Sequence, residues 1–307
     1  MGVNPPPRAV RCLLFRCHEG NMPAMSGPKL RVAIQGERGA FSHEAALLAL
    51  GEGIEVIPRP SFEALFAAVV DGAADRAIVP IENSLTGSIH ENYDRLKSGP
   101  LHIVGETQLR IRQCLIARPG ASLASLRRVA SHPVALAQCR RFFAEHPQIE
   151  PITAYDTAGS VQDALGSGLA SQGAIASRLA AELYGGQVLL EGIEDDPQNY
   201  TRFLVLAREP GSPEEASKTS LVFVLDNVPG ALHRAIGAFA SRGADLCKIE
   251  SRPLRGYPWE YAFYLDVLGD PRGVAGEAIE ELRRMAREMR VLGSYPEGLG
   301  RDRVGGR

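Results

Sequence analysis

Three short stretches of the sequence concentrate polar side chains that suit the binding and polarisation of a small ligand. They are residues 80–88 (PIENSLTGS), residues 131–133 (SHP) and residues 195–203 (DDPQNYTRF). Each lies where a polar segment adjoins an apolar run with the composition of a strand. Ligands of open α/β sheets collect at strand ends, so the three stretches are candidates for one shared pocket.

The first two stretches have structural alternatives. Residues 80–88 either line a pocket or end in a helix cap provided by Ser84, Thr86 or Ser88, and spacing alone favours neither. In the second stretch, a histidine beside a proline at a strand end is more often structural than catalytic. His132 is therefore not assigned a catalytic role from its own context.

The third stretch contains a charged side chain in an apolar setting. Arg202 lies between Thr201 and Phe203 at the start of a strand, where an arginine is costly unless it is paired. It suits a bidentate contact with a substrate carboxylate. The alternative, which the sequence favours, is an internal salt bridge to Asp195 or Asp196.

A fourth stretch, residues 36–39 (GERG), joins an apolar run to a helical one. Such a turn can hold an anion at a helix N-terminus. It does not contain the G-x-G-x-x-G spacing of a dinucleotide site. Residue chemistry alone therefore indicates an α/β enzyme or binding protein for a small polar ligand.

The elements that position these stretches alternate between strand and helix from residue 29 onward, which predicts a mostly parallel α/β sheet. We expect two lobes with a cleft between them, lobe 1 at about 29–118 and 190–209 and lobe 2 at about 119–189. Residues 210–218 have the composition of a linker. Residues 219–297 show the order βαββαβ, which is typical of a ferredoxin-like domain.

Composition limits the class of protein. The chain has 307 residues, with 34 Lys and Arg against 36 Asp and Glu, so its net charge of −2 provides no field that attracts nucleic acid or an anionic membrane. No apolar run reaches the ~18 residues of a membrane span. Five scattered cysteines without metal-ligand spacing predict reduced thiols and a cytoplasmic location. We expect residues 1–28 to be a disordered tail, with Met25 as an alternative start, and residues 298–307 to fray.

Eight motifs occur in a shared order from Leu30 to about Pro296, and through them the chain resembles the prephenate dehydratase family, including its plant-type arogenate dehydratase branch. The motifs are GERGAFS, VPIENSLTGSIHENYD, HIVGETQL, SHPVALAQC, DTAGS, AAELYGG, EGIEDDPQNYTRFLVLA and KIESRP. The resemblance implies a two-lobed catalytic domain like that of periplasmic binding proteins, followed by an ACT regulatory domain.

The resemblance also implies a reaction. Prephenate would lose carbon dioxide and its ring hydroxyl to give phenylpyruvate, or arogenate would give phenylalanine, with feedback regulation by phenylalanine and no metal or cofactor. Ala40 replaces the threonine of many prephenate-specific members, as in the plant-type sequences, and both substrates stay open. The alternative is a catalytically silent amino-acid sensor with the same fold.

Roles for individual residues follow from the same resemblance. Thr201 matches an essential threonine, which we expect to donate a hydrogen bond to the departing hydroxyl. Arg202 becomes a carboxylate partner or a support for the loop, and Phe203 completes the motif. The side chains expected to contact the substrate are Glu82, Asn83, Ser84, Ser131, Gln138 and Asn199.

Two segments of the C-terminal domain match phenylalanine-binding motifs of the family. They contain Asn227, Val228, Pro229, Gly230, Ala231 and Leu232 in one motif and Glu250, Ser251, Arg252 and Pro253 in the other. ACT domains generally pair across subunits. A homodimer or homotetramer with phenylalanine at the interface is therefore implied.

Overall fold

The alternation of strand and helix begins at residue 30, as the sequence predicts. The computed structural model describes residues 28–254 and 256–298, so the predicted tail at 1–27 and the predicted frayed end at 299–307 lie outside the described residues. The first elements are β1 (Leu30–Gln35), α1 (Phe41–Leu50), β2 (Ile54–Arg59), α2 (Phe62–Val70), β3 (Arg76–Asn83), β4 (Gly87–Ser88), α3 (His90–Ser98) and β5 (His102–Arg110).

A second group of elements follows between residues 114 and 191. It consists of β6 (Cys114–Ala117), β7 (Arg128–Ser131), α4 (Pro133–Ala137), α5 (Arg140–Glu145), β8 (Glu150–Thr153), α6 (Thr157–Gly166), β9 (Gln172–Ala176), α7 (Arg178–Tyr184) and β10 (Gln187–Glu191). These strands form a sheet of order β10-β6-β9-β7-β8. The sheet spans residues 114–191, slightly more than the range of 119–189 predicted for the second lobe. The difference arises because β6 and β10 pair with each other and both belong to this sheet.

The chain then returns to the first sheet through β11 (Tyr200–Ala207). The order of that sheet is β2-β1-β3-β11-β5, with β4 paired to β3. Strand β11 is antiparallel to both of its neighbours. One face of β11 lies toward the second lobe, and the other lies toward the C-terminal domain.

The C-terminal domain consists of β12 (Lys218–Val224), α8 (Ala231–Ala240), β13 (Leu246–Pro253), β14 (Tyr261–Leu268), α9 (Val274–Met285) and β15 (Glu288–Tyr295). Its sheet order is β13-β14-β12-β15, which together with the βαββαβ sequence order is that of a ferredoxin-like fold. Lys218, which the sequence places at the end of a linker, is the first residue of β12 and is buried.

Each face of the C-terminal sheet is covered. Helices α8 and α9 pack on one face in a cluster that includes Phe223 and Leu265. The other face packs on the first lobe in a shared core that includes Tyr264, Leu292 and Ile103. The regulatory and catalytic parts predicted from the sequence therefore share an apolar interface.

The described cysteines are free thiols. Cys114 and Cys139 are buried and Cys247 is exposed, whereas Cys12 and Cys17 lie outside the described residues. Burial raises the pKa of the Cys114 thiol to about 12. No helix in the described part of the chain is long and apolar enough to cross a membrane.

The turn at residues 36–39 joins the two lobes. The backbone N–H of Glu37 donates to Asp156 Oδ2 at 3.2 Å, and Ser177 Oγ donates to the carbonyl of Gly39 at 2.5 Å. Both partners belong to the second lobe. The N–H groups of Gly36 and Gly39 have acceptors within the first lobe. Anion binding in this region therefore stays a prediction for the N-terminus of α1, which the turn precedes.

We predict that Gly39→Ala separates the lobes. Gly39 has φ +90°, and a Cβ there would lie 2.8 Å from the Cα of Ala180. Gly185→Ala is the matched control, since Gly185 also has positive φ (+73°) but nothing within 4 Å of a Cβ. The control should lose about 1–2 kcal/mol of unfolding free energy in urea.

Gly39→Ala should lose more than the control and should also increase the radius of gyration in small-angle scattering. Equal losses for the two variants with unchanged scattering would contradict a close contact between the lobes at this turn.

Candidate active site

A cavity of about 510 Å³ lies between the two lobes. Its walls combine the ends of β3 and β11 from the first lobe with residues of the second lobe. The lining residues are Gln35, Ala40, Phe41, Ser42, Ser61, Phe62, Pro80, Asn83, Thr86, Ile89, Glu91, Ile111, Gln113, His132, Val134, Ala135, Gln138, Tyr155, Asp156, Thr157, Thr201 and Phe203.

Asn83 is the centre of the polar network in this cavity. Its Oδ1 accepts hydrogen bonds from the backbone N–H groups of Leu85 and Thr86, both at 3.0 Å, which fixes the orientation of the amide. Its Nδ2 donates to Thr201 Oγ1 at 3.0 Å and to Asn199 Oδ1 at 2.7 Å. Because Asn83 is only 9% exposed, these bonds hold the amide rigidly.

Thr201 faces the cavity with its hydroxyl oriented by that amide. The side chain is 8% exposed, and its oxygen accepts the bond from Asn83. Since Oγ1 is the acceptor in this bond, the hydroxyl proton stays available to a ligand in the cavity. A hydrogen bond that is received also strengthens the bond that the same hydroxyl gives.

A second set of amides continues the network into the other lobe. Asn199 Nδ2 donates to Gln138 Oε1 at 2.9 Å, and Gln113 Nε2 donates to the same oxygen at 3.3 Å. Asn199 is fully buried beneath the cavity, whereas Gln138 lines it. The chain Thr201, Asn83, Asn199 and Gln138 thus connects the two lobes through neutral hydrogen bonds.

The N-termini of several helices meet at the cavity. First-turn residues or caps of α1, α2, α3 and α6 are among the lining residues. Helices α1 and α3 begin without a side-chain cap, so their first N–H groups have no side-chain acceptor. Such termini bind carboxylates. No Lys or Arg of the described chain lines the cavity, although the sequence led us to expect Arg202 there.

Two carboxylates in the wall are differently engaged. Asp156 caps α6, and one of its oxygens accepts from the N–H of Gly159 at 2.9 Å and from that of Glu37 at 3.2 Å. Glu91, the second residue of α3, uses Oε1 for Arg95 at 2.8 Å. Glu91 is therefore ion-paired with Arg95 and 55% exposed, and its second carboxylate oxygen accepts no hydrogen bond from Arg95 and can meet a cationic group of a ligand.

Arg202 and Glu82 are on the opposite face of the sheet from the cavity. Side chains alternate along β11, so Arg202 points away from the surface that Thr201 and Phe203 share. Its partners are Glu106 and Asp266 and not the predicted Asp195 or Asp196. The predicted contact of Arg202 with a substrate carboxylate is contradicted by this orientation.

Glu82 neighbours Arg202 in the strand register and forms an ion pair of 2.5 Å with Lys248. It does not line the cavity, contrary to the expectation of a substrate contact. Its carboxylate belongs to the contact between the first lobe and the C-terminal domain.

Two serines that were expected to contact the substrate form hydrogen bonds with backbone groups instead. Ser84 Oγ donates to the carbonyl of Gln198 at 2.7 Å and accepts from the N–H of Tyr200 at 2.9 Å, which joins the two predicted loops. Ser131 is fully buried and donates to the carbonyl of Ile175 at 2.6 Å. Neither lines the cavity, and the helix α3 has Ile89 as its N-cap and not a serine or threonine.

Several lining residues were not assigned from the sequence. Tyr155, Asp156 and Thr157 precede and begin α6 within the DTAGS region, and the motif itself was the available signal. His132 lines the cavity as the N-cap of α4, where its Nδ1 accepts from the N–H of Val134 at 3.3 Å. Aromatic residues Phe41 and Phe62 come from the first turns of α1 and α2.

A second interlobe cavity, of about 570 Å³, contains Arg110, Arg112 and Arg178. Arg112 and Arg178 both form ion pairs with Glu191. Arg110 lies 4.0 Å from Glu194. Because these cations already have carboxylate neighbours, the cavity around Thr201 is the better candidate for an anionic substrate.

A cavity of about 330 Å³ lies in the C-terminal domain at the first predicted effector motif. Asn227, Val228, Gly230, Ala231 and Leu232 line it, together with Trp259, Tyr261 and Phe263. Pro229 lies within the same turn, and its carbonyl accepts from Arg234 at 3.3 Å.

The second predicted effector motif, on the edge strand β13, does not line this cavity within one chain. Glu250 accepts from Ser88 Oγ at 2.9 Å, and Arg252 donates to Asp94 at 2.9 Å, so both face the catalytic part. Ser251 is exposed on the other face of β13.

A family model described as prephenate dehydratase matches residues 32–211. The chain is 44% identical over 283 residues to "Arogenate dehydratase/prephenate dehydratase 2, chloroplastic" from Arabidopsis thaliana, which covers 88% of this chain and 74% of the relative. This is a protein of the dehydratase class with a two-lobed α/β site. The chain belongs to the prephenate dehydratase family.

Solved structures agree with this membership. One, a prephenate dehydratase in complex with L-Phe from Arthrobacter aurescens, has a TM-score of 0.78 at 35% identity and covers 87% of this chain and 90% of its own. Another, described as GqqA, a novel type of quorum quenching acylase, has a TM-score of 0.79 at 36% identity and covers 87% and 98%.

Proposed function

We propose that this protein catalyses the decarboxylating dehydration of arogenate and prephenate in phenylalanine biosynthesis. The observation that carries the proposal is the Thr201 hydroxyl, which Asn83 orients into the interlobe cavity at 3.0 Å. Family membership supplies the reaction class. The amide network supplies a fixed hydrogen-bond donor at the place where a leaving hydroxyl needs one.

In the reaction, the bond between the ring and its carboxylate breaks and carbon dioxide leaves. The electron pair of that bond enters the ring, and the C–O bond to the ring hydroxyl breaks at the opposite carbon. The departing oxygen keeps the electron pair of the C–O bond and takes up one proton from solvent to give water, and the ring becomes aromatic. Thr201 stabilises the negative charge that develops on this oxygen through a preorganised hydrogen bond.

The side-chain carboxylate of the substrate, which the reaction retains, is bound by the N-termini of the helices that meet in the cavity. The uncapped first turns of α1 and α3 offer backbone N–H donors and a partial positive charge. This arrangement orients the substrate without a cationic side chain. Removal of water from the closed cleft strengthens these interactions.

The charges in the cavity favour arogenate over prephenate. Arogenate carries an ammonium group where prephenate carries a ketone, and Glu91 presents a carboxylate oxygen to the cavity. Because Glu91 is 55% exposed and shared with Arg95, its contact with an ammonium group contributes about 0.2–1 kcal/mol, which corresponds to at most about 5-fold in kcat/KM. We therefore propose arogenate as the preferred substrate.

Glu91→Gln should reduce the ratio of kcat/KM for arogenate to kcat/KM for prephenate by about 2- to 5-fold, because it removes the carboxylate that meets the ammonium group. Glu63→Gln is the matched control, since Glu63 is likewise the second residue of its helix, α2, but does not line the cavity. Side-by-side rates on the two substrates measure the ratio. An unchanged ratio in Glu91→Gln would assign the preference to another group.

Thr201→Val should lower kcat by about 10²–10³-fold, because valine has the shape of threonine without the hydroxyl that stabilises the leaving oxygen. Thr201→Ser should keep most of the rate. Product formation is followed by absorbance, and substrate affinity by calorimetry. Wild-type turnover in Thr201→Val would refute the role of the hydroxyl.

Two alternative functions are tested by the same measurement of product formation. A catalytically silent sensor would bind phenylalanine and consume neither substrate. An acylase, as the name of one similar structure suggests for that protein, needs a nucleophile activated by a base. Among the described residues, no hydroxyl of the cavity is hydrogen-bonded to His132, so the geometry favours the dehydratase.

We propose further that the C-terminal domain is an ACT domain that binds phenylalanine in the cavity beside Gly230. A second copy of the chain would complete the site by pairing along β13. Support comes from the edge position of β13, with Ile249 47% exposed, and from the exposed side chains Val228 and Trp259 at the mouth of the cavity. The predicted cytoplasmic location stays a prediction, since the Arabidopsis relative is named chloroplastic.

Tryptophan fluorescence should report phenylalanine binding directly. Trp259 is the one tryptophan of the sequence, is 80% exposed and lines the C-terminal cavity. Bound phenylalanine would shield the indole from water, so its emission should shift to shorter wavelength with saturation at the inhibitory concentration.

Gly230→Val should abolish the shift, because Gly230 lines the cavity and a branched side chain there would occupy the space of the ligand. Gly243→Val is the control, with φ +68° in the same domain and nothing within 4 Å of a Cβ. A constant spectrum during full inhibition by phenylalanine would place the effector elsewhere.

A further inference from the structure

Arg202 connects the strand that carries Thr201 to the C-terminal domain. Its Nε donates to Glu106 Oε2 at 2.7 Å on β5, within the first lobe. Its Nη1 donates to Asp266 Oδ2 at 2.6 Å on β14, and its Nη2 donates to the Tyr295 hydroxyl at 3.1 Å on β15. One guanidinium thus joins three strands of two sheets.

The cluster around Arg202 is buried and balanced in charge. Lys218 Nζ donates to Glu106 Oε1 at 2.7 Å, and Ser220 Oγ donates to Asp266 Oδ1 at 2.5 Å. The side chains of Arg202, Lys218, Glu106 and Asp266 are 11%, 6%, 0% and 8% exposed. Two cations therefore face two carboxylates in a nearly closed space.

Such a cluster needs a reason other than stability. Desolvation of buried charges offsets most of their mutual attraction, and apolar residues of similar volume often stabilise a protein equally well. A buried, fully paired guanidinium provides a fixed geometry, because its planar group donates hydrogen bonds in only a few directions. The geometry fixed here is that of β11.

The pairing of β11 is irregular at one point. The register against β3 shifts between Arg202 and Phe203, where the strand is opposite Glu82 and then Pro80. Proline has no N–H to donate to a neighbouring strand. The backbone ladder to β3 is therefore irregular immediately after Arg202, whereas the ladder to β5 continues through Val205. On the β3 side of this point, the side-chain contacts of Arg202 add to the forces that fix the strand.

We propose that Arg202 is a positioning residue for Thr201, and that Asp266 of the C-terminal domain holds Arg202 in place. The inference rests on the proposed function of Thr201. Thr201 and Arg202 are consecutive residues on opposite faces of one strand, so a rotation or shift of β11 that moves one side chain moves the other. Arg202 acts on catalysis without touching the substrate.

The test is Asp266→Asn in the full-length chain, with Asp270→Asn as the matched control. Asn keeps the size of the side chain and an acceptor oxygen but removes the charge that holds Arg202. Asp270 is in the same domain and pairs with Arg272 at 3.0 Å, but on the surface. Unfolding in urea gives the folded fraction to which every rate is normalised.

Asp266→Asn should lower kcat by about 10- to 100-fold, since a displacement of about 1 Å has effects of that size. KM should change by less than about 2-fold, because the helix N-termini that bind the side-chain carboxylate are untouched. Asp266→Glu, which keeps the charge, should recover part of kcat. Asp270→Asn should behave as the wild type.

Hydrogen exchange of the peptide covering residues 198–205 provides a readout without turnover. Exchange should increase in Asp266→Asn and not in Asp270→Asn. A wild-type kcat per folded molecule in Asp266→Asn, with unchanged exchange, would overturn the positioning role. A wild-type protein that consumes neither substrate would refute the proposed function, and the exchange data would still decide the role of Arg202.

Discussion

The period of two along strand β11 determines how this molecule is organised. Successive side chains of a strand point to opposite faces, so Thr201 and Phe203 enter the interlobe cavity while Arg202 enters the interface with the C-terminal domain. The strand is paired along both edges, and its two faces meet the cavity and the core shared with the C-terminal domain. A single short segment therefore serves the reaction on one side and the domain contact on the other. A shift in its register by one residue would exchange these roles and destroy both.

The cavity meets an anionic substrate by dipoles and not by cationic side chains. Helix N-termini are fixed in the scaffold and already desolvated, so they need little reorganisation when the substrate binds. An arginine in the same wall would attract the carboxylates, but it would also hold negative charge on the carboxylate that must leave as neutral carbon dioxide. The reaction removes the negative charge of the ring carboxylate and creates negative charge on the leaving oxygen. A donor such as Thr201, oriented by the neutral amide of Asn83, stabilises the charge on the leaving oxygen without stabilising the ring carboxylate.

The sequence predicted which segments form the site better than it predicted the direction of individual side chains. Asn83 is the last residue of β3 and Thr201 is the second residue of β11, and both lie in motifs that resemble those of the family. Their contact at 3.0 Å follows from that placement. Alternation along a strand places Arg202 on the face opposite to Thr201, but its partners could not be predicted, because they lie on strands that are distant in the sequence. Asp266 lies 64 residues away in an otherwise apolar strand, which indicates that its carboxylate is paired but does not identify the partner. Local pattern predicts elements, whereas partners across domains follow from tertiary packing.

Strand β13 of the C-terminal domain resembles β11 in that its two faces contact different parts of the molecule. Ser251 pairs in register with Phe263, which lines the C-terminal cavity, whereas the adjacent Glu250 accepts from Ser88 Oγ at 2.9 Å on the catalytic side. Ser88 precedes Ile89, which lines the interlobe cavity. A ligand that moves β13 by binding beside Phe263 must also change the contact of Glu250, because the two side chains share one backbone. Under the proposed regulation by phenylalanine, the effect on catalysis then passes from Phe263 to its neighbour β13 and from Glu250 of β13 to Ser88.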